Sequence, residues 1–162
     1  MQIMARSCGY PELLEQLRGR KVYMWTCNTC ARICGIGGGP NARSLGERLS
    51  ADGIDIVGYG STGASCIASN VRKCQTPEIE GCDTVLSLTC DIGAKLCGAV
   101  SGKEVLNPVC TLGAGYRDDG KVCRLMRTDG SDPALSEEAE RRGLPPGPFR
   151  GAPEGPAYLY SL

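Results

Sequence analysis

The chain predicts an α/β fold, a small and mainly parallel sheet of about four strands with short helices between them, cysteines at its carboxyl edge and an extended Pro-rich C-terminal arm. Three observations carry this expectation. Short apolar runs rich in strand formers alternate with segments of helical spacing, the pattern of βαβ units. Cysteines follow two of those runs directly, Cys27 after Val22-Tyr23-Met24-Trp25 and Cys90 after Val85-Leu86-Ser87-Leu88-Thr89. Six of the ten prolines (Pro133, Pro145, Pro146, Pro148, Pro153 and Pro156) lie beyond Thr128, where the composition changes.

Pro11 to Arg18 opens with proline and an acidic turn and is closed by Gly19, which predicts a short amphipathic helix. Lys21 to Trp25 predicts a buried strand, Asn41 to Leu49 a helix ending near Asp52-Gly53, and Ile54 to Val57 the next strand. Gly63 to Lys73 is read as helical, Asp83 to Leu88 as a third strand, Asp91 to Val100 as a short helix and Glu104 to Leu106 as a fourth strand. Residues 1–127 thus make a cysteine-rich α/β domain. Residues 128–162 make the arm, in which Ser136 to Arg142 forms one or two helical turns capped by Ser136 and ended by Gly143. Leu144, Phe149, Tyr158, Leu159, Tyr160 and Leu162 among Pro and Gly suit an extended arm lying along a partner subunit, since ordering it alone costs entropy.

A chain of 162 residues can bury a core without disulfide staples, so its eleven cysteines are not needed for stability. No secretory leader opens it and no apolar run approaches the ~18 residues of a membrane span, which predicts a cytoplasmic protein. In a reducing compartment many cysteines point to metal or redox chemistry, and an odd count fits complete pairing poorly. Charge is balanced at 18 basic against 18 acidic residues, without a basic run, so neither a nucleic-acid nor an anionic-membrane surface is expected.

Cys27, Cys30 and Cys34 have the spacing Cys-x2-Cys-x3-Cys on a loop that turns into a helix. Three thiolates can there surround one centre while a fourth arrives from elsewhere, as in iron–sulfur proteins. Cys74 is the first choice for the fourth, with Cys90 or Cys66 as alternatives. Open α/β sheets collect ligands beyond the carboxyl ends of their strands, and Cys27, Cys90 and Cys110 lie at or just after such ends. Soft thiolates select zinc as well as iron–sulfur, so a structural four-thiolate zinc site is the alternative. A redox dithiol at Cys27 and Cys30 leaves Cys34 unexplained. The spacing also reverses the order expected of radical-enzyme clusters.

Of the other cysteines, Cys97 reads as a small buried hydrophobe, Cys8 is uninformative, and Cys82 lies at the wrong end of its strand. Cys110 and Cys123 bind a second metal or none. Within Gly35-Ile36-Gly37-Gly38-Gly39, Gly37 and Gly38 are candidates to donate backbone N–H groups to a cluster's sulfurs, with a flexible turn as the plain alternative. Gly58-Tyr59-Gly60-Ser61-Thr62-Gly63 fits a dinucleotide pattern but lacks the acidic partner after the next strand, so a tight turn is expected. Gly98 to Glu104 is one residue short of a P-loop and has Glu where magnesium needs Ser or Thr.

The amphipathic leader helix, Lys21-Val22-Tyr23-Met24-Trp25-Thr26-Cys27-Asn28-Thr29-Cys30 with Cys34 and its glycine patch, Arg72-Lys73-Cys74, Asp83-Thr84-Val85-Leu86-Ser87-Leu88-Thr89-Cys90 and Val105-Leu106-Asn107-Pro108 together resemble the MetV-type small subunit associated with methylenetetrahydrofolate reductase, the cysteine-rich C-terminal domain family of that enzyme. The resemblance spans roughly residues 12–123. It implies a cluster-binding accessory protein beside a flavin-containing TIM-barrel reductase of one-carbon metabolism, with further electron-transfer subunits in some assemblies. By position Cys27, Cys30, Cys34, Cys74 and Cys90 match family cysteines, of which four hold one [4Fe-4S] cluster, and the flavin belongs to the partner. The chain departs from the family where a second cysteine-rich module gives way to the Pro-rich arm. Asp91 stands where glycine is expected, and Cys66, Cys82, Cys97 and Cys110 look peculiar to this chain. No acid–base pair or activated nucleophile is visible. An electron-transfer subunit is therefore expected, a zinc-bound interaction module or a dithiol enzyme being the alternatives.

Overall fold

The computed structural model describes residues 1–145. In chain order its elements are β1 (Gln2–Arg6), α1 (Tyr10–Leu17), β2 (Lys21–Cys27), the single turn α2 (Cys30–Ile33), α3 (Gly39–Ala51), β3 (Asp55–Thr62), α4 (Ala68–Cys74), a 3-10 turn (Pro77–Gly81), β4 (Thr84–Leu88), α5 (Asp91–Ser101), β5 (Glu104–Leu106), β6 (Val109–Arg117), β7 (Cys123–Leu125) and α6 (Leu135–Arg141).

The expected parallel sheet is present, with strand order β3-β2-β4-β5. Its central strands are buried on both faces, as crossover helices on each side require. Along β2, Val22 and Met24 face a core shared with Leu13 and Leu17 of α1 and Leu45 and Leu49 of α3. Tyr23 and Trp25 face the other way, onto Val71, Ile79, Val85 and Cys97. Each fully buried Leu or Met contributes about 2 kcal/mol of apolar burial. Helix α5 stops at Gly102, whose left-handed backbone (φ 68°) returns its N–H to the Gly98 carbonyl at 2.8 Å.

A second, antiparallel sheet of order β1-β6-β7 was not expected. β1 lies in the N-terminal leader, and β6 has few large side chains to announce it. Ile3, Met4 and Ala5 are wholly buried against the main core, so this sheet is a wall of the same domain. The glycine pattern at 58–63 is not a tight turn: Gly58 and Gly60 lie inside β3, which runs on to Thr62. Neighbouring aromatics explain the glycines, because a Cβ on Gly60 would stand 2.6 Å from the Trp25 ring. The helix expected from Gly63 begins only at Ala68 and leaves a loop at 63–67.

The first part of the expected arm packs onto the antiparallel sheet. The Leu125 N–H donates to the Pro133 carbonyl, Arg124 bridges to Ala134, and Leu135 and Ala139 are buried in the main core. Helix α6 is capped by the Glu137 carboxylate, which accepts from the Ala134 N–H at 3.1 Å, rather than by Ser136. The rest of the arm, and with it the expected seat along a partner, lies outside the described residues. Among the described residues no helix is long and apolar enough to cross a membrane.

Glu138 is the one acidic side chain buried in this part, 1% exposed, and it receives Arg127, Arg141 and Arg142. These guanidinium groups, Arg141 first, hold its carboxyl down to about 2 from an ordinary 4.5. A depressed carboxylate stabilises the fold fully above its unfolded value and loses that contribution as pH falls through its folded value. Urea titrations should therefore show stability falling between about pH 4.5 and 2. Glu138→Gln should lower stability by about 2 kcal/mol at pH 7 and flatten that acid slope.

Candidate functional site

Parallel strands end at one edge, and here the edge carries thiols. β2 ends at Cys27, the following turn places Cys30 at the start of α2, the loop after β3 carries Cys66, and Cys90 caps the amino end of α5 just beyond β4. These four cysteines line a single cavity of about 200 Å³, whose walls are mostly apolar. Gln2 of β1, Thr29, Ala31, Gly63 to Ser65 and Ile92 complete it. Cys27 Sγ donates to the Gly63 carbonyl at 3.6 Å, and the Gln2 N–H donates to Cys30 Sγ at 3.4 Å. The Thr29 hydroxyl also donates to the Gly63 carbonyl, which draws the two loops together.

Two close approaches bring the loops to this edge. Gly93, in the first turn of α5, lies so near the loop after β3 that a Cβ there would stand 2.8 Å from Ser65 Cβ. Ser65 in turn is fixed from below by the Trp25 indole, which donates to its hydroxyl at 3.1 Å. Cys66 is thereby held next to Cys90. Burial raises the Cys90 thiol above its ordinary value, the Gly93 N–H opposes that, and the charges of Cys30, Cys27 and Cys66 raise it further. The other three cysteines of the cavity therefore stand close enough to Cys90 to act on its charge.

The remaining predicted residues lie elsewhere. Cys74 is the last residue of α4, which runs back from the carboxyl edge, and it packs against the Tyr23 and Trp25 cluster on the other face. Nearby Thr76 meets the Tyr23 hydroxyl at 3.0 Å, halfway down β2. Its loop does not fold back, and the alternatives Cys66 and Cys90 stand at the edge instead. Cys34 faces away from the cavity into the core, where its thiol donates to the Gln2 carbonyl at 3.6 Å. Cys110 lies on β6 opposite Ala5 and does not line the cavity. Cys97 is wholly buried, and burial pushes its thiol up to about 12.

Gly37 and Gly38 have a role other than the donation expected of them. Their N–H groups are used inside the chain, Gly37 to the Ala31 carbonyl at 2.9 Å and Gly38 to Thr26 Oγ1 at 2.7 Å. Both are glycine for space and shape: a Cβ on Gly37 would stand 2.5 Å from the Leu88 carbonyl oxygen, and Gly38 has φ 90°. The patch lets the cysteine turn press onto the end of β4. Asp91, unexpected by resemblance, accepts from the Thr111 N–H at 3.1 Å and from Asn107 Nδ2 at 3.2 Å, tying α5 to β6.

Sequence reasoning ended β3 too early and so missed the position of Cys66. Carrying the strand through its two glycines would have set Cys66 at the carboxyl edge. Gln2 had no local signal, since only the pairing of β1 with β6 brings it to the cavity.

The donor set is all thiol, and the described cavity lining contains no histidine or carboxylate, a chemistry that suits soft metals. Among the described residues, however, no group of three or more His, Cys, Asp or Glu side chains is gathered closely enough to hold a metal ion. A tetrahedral zinc with bonds of about 2.3 Å needs its sulfurs within about 4 Å of one another. These thiols share the lining of one cavity without being gathered to that spacing.

Gly37→Ala should cost about 2–3 kcal/mol in urea unfolding, because the added methyl meets backbone that cannot yield. Gly81→Ala, whose Cβ meets nothing within 4 Å, should stay within about 0.5 kcal/mol of the parent.

No protein-family model matches the chain, and neither a curated protein nor a solved structure is matched by it.

Proposed function

We propose that this chain is an iron–sulfur electron-transfer subunit in which Cys27, Cys30, Cys66 and Cys90 hold one [4Fe-4S] cluster. The observation that carries the reading is the convergence of four thiols, from three loops at the carboxyl edge of a parallel sheet, on one apolar cavity. When bound, the cluster supplies one-electron transfer. The chain's own residues supply the setting. The apolar walls limit water around the thiolates, and the Gln2 N–H donates to the Cys30 sulfur, an interaction of the kind that tunes a cluster's potential. Cys66 and Ile92 are exposed at the mouth, and Ile92 keeps 55% of its surface open. An exchange of electrons with a partner would take place there.

The resemblance to the MetV-type family suggests the partner, a flavin-containing methylenetetrahydrofolate reductase-like catalytic subunit in the cytoplasm, with room for further electron-transfer subunits. In this reading the chain is not a catalyst by itself. A zinc-binding structural module of the same complex is the alternative that the thiol chemistry alone leaves open.

Oxygen-free purification with whatever copurifies, followed by assay of iron, acid-labile sulfide and zinc per chain, tests the proposal. About four irons and four sulfides are expected. Cys66→Ser should reduce iron content by at least half, whereas Cys34→Ser and Cys74→Ser should leave it unchanged. One zinc without sulfide, or iron lost on changing Cys74 but not Cys66, would defeat the assignment.

A further inference from the structure

Cys34 and Cys123 are two cysteines that the cavity does not use. They lie about 90 positions apart in the chain, are 1% and 2% exposed, and belong to the same core. Their thiols lie close enough to act on each other's ionisation. Cys123 Sγ also donates to the carbonyl of Ile33, the residue before Cys34, at 3.6 Å. Packing therefore holds two free thiols together across a junction between α2 and the first residue of β7.

We propose that Cys34 and Cys123 form a dithiol–disulfide couple, a thiol-exchange site separate from the four-thiol cavity, whose oxidant is a small glutathione-type disulfide. Of the two, Cys123 is the better nucleophile. The nearness of Cys34 and the charge of Arg117 lower its thiol, while the nearness of Cys123 and burial raise that of Cys34. The Cys123 thiolate attacks one sulfur of the small disulfide, the S–S bond of that molecule breaks, and its first half leaves as a thiol with the proton Cys123 gave up. Cys34, losing its own proton, attacks the Cys123 sulfur. The mixed disulfide breaks and the second half leaves as a thiol. The small disulfide gains two electrons and two protons, and the protein's two thiols lose them.

The fold provides both a route to the pair and a consequence of joining it. β7 is a three-residue strand, last in the order of its sheet, whose outer side is met by Ala134 at Arg124 and by Pro133 at Leu125, and Cys123, its first residue, lies ahead of that pairing. Opening the start of this short strand exposes the pair without unfolding the domain. The Gln2 backbone connects the pair to the cavity: its carbonyl accepts from Cys34 Sγ at 3.6 Å, and its N–H donates to Cys30 Sγ at 3.4 Å. Forming the disulfide removes the Cys34 donor and releases one of the two sulfur contacts of Gln2.

The test uses the full chain in a graded series of reduced and oxidised glutathione, brought to equilibrium, quenched with acid, alkylated and mapped by peptide mass spectrometry. The expected result is a Cys34–Cys123 linked peptide that accumulates toward the oxidised end and is reversed by dithiothreitol. The oxidised chain should also melt roughly 5–10 °C higher, since the link closes a long loop. Cys123→Ser should abolish both changes. Recovery of both cysteines as alkylated thiols at the fully oxidised end, or of either linked to a different cysteine, overturns the proposal. The peptide map of the unaltered chain decides the question even if Cys123→Ser folds poorly. Metal content plays no part in this readout, so failure here and failure of the cluster assignment are distinguishable.

Discussion

One buried hydroxyl holds the cysteine-bearing edge of this protein together. Thr26, next to Cys27, is 1% exposed, accepts from the Gly38 N–H at 2.7 Å and donates to the Leu88 carbonyl at 3.2 Å. It therefore joins the end of β2, the turn after α2 and the end of β4 at one point. Both hydrogen bonds are sheltered from water, where leaving either partner unmet would cost about 1–3 kcal/mol. The spacing of Cys27 and Cys30 from Cys90 depends on this junction more than on any contact among the thiols themselves.

The same economy of space governs the rest of the edge. Glycine stands where neighbouring segments press together: Gly37 against Leu88, Gly60 against Trp25, Gly93 against Ser65. Each lacks a side chain, so that backbone or ring can approach. Interiors packed to crystal-like density transmit such constraints with little slack. The antiparallel sheet then closes the cavity from above through Gln2, and α6 covers that sheet with Leu135 and Ala139. The start of the Pro-rich region is in this way part of the structural wall that supports the site.

The cysteines of this chain occupy distinct environments. Cys97 is surrounded by apolar side chains and acts as a small hydrophobe. Cys27, Cys30, Cys66 and Cys90 line a shared cavity. Cys34 and Cys123 are buried in the same core, the Cys123 thiol reaching the carbonyl of the residue before Cys34. The local triplet Cys-x2-Cys-x3-Cys is thus divided between the cavity, lined by Cys27 and Cys30, and the core that buries Cys34. α2 is a single turn, and its first residue looks outward over the edge while Cys34 at its end looks inward to the core.

The α/β class, the parallel sheet and the places of Cys27 and Cys90 were legible in the sequence by itself, because each rests on local patterning: apolar runs for buried strands, alternating helices, and a cysteine directly after a strand. The glycine patch was legible as a special backbone but not in its purpose. What only the tertiary structure decided concerns pairs remote in the chain. β1 and β6 lie more than a hundred residues apart, so nothing local announces that Gln2 meets Cys30. The direction of α4 removed Cys74 from the edge, and the true end of β3 put Cys66 there. Side chains that meet through non-local packing leave no spacing in the sequence, and ligand sets and thiol pairs are made of such meetings.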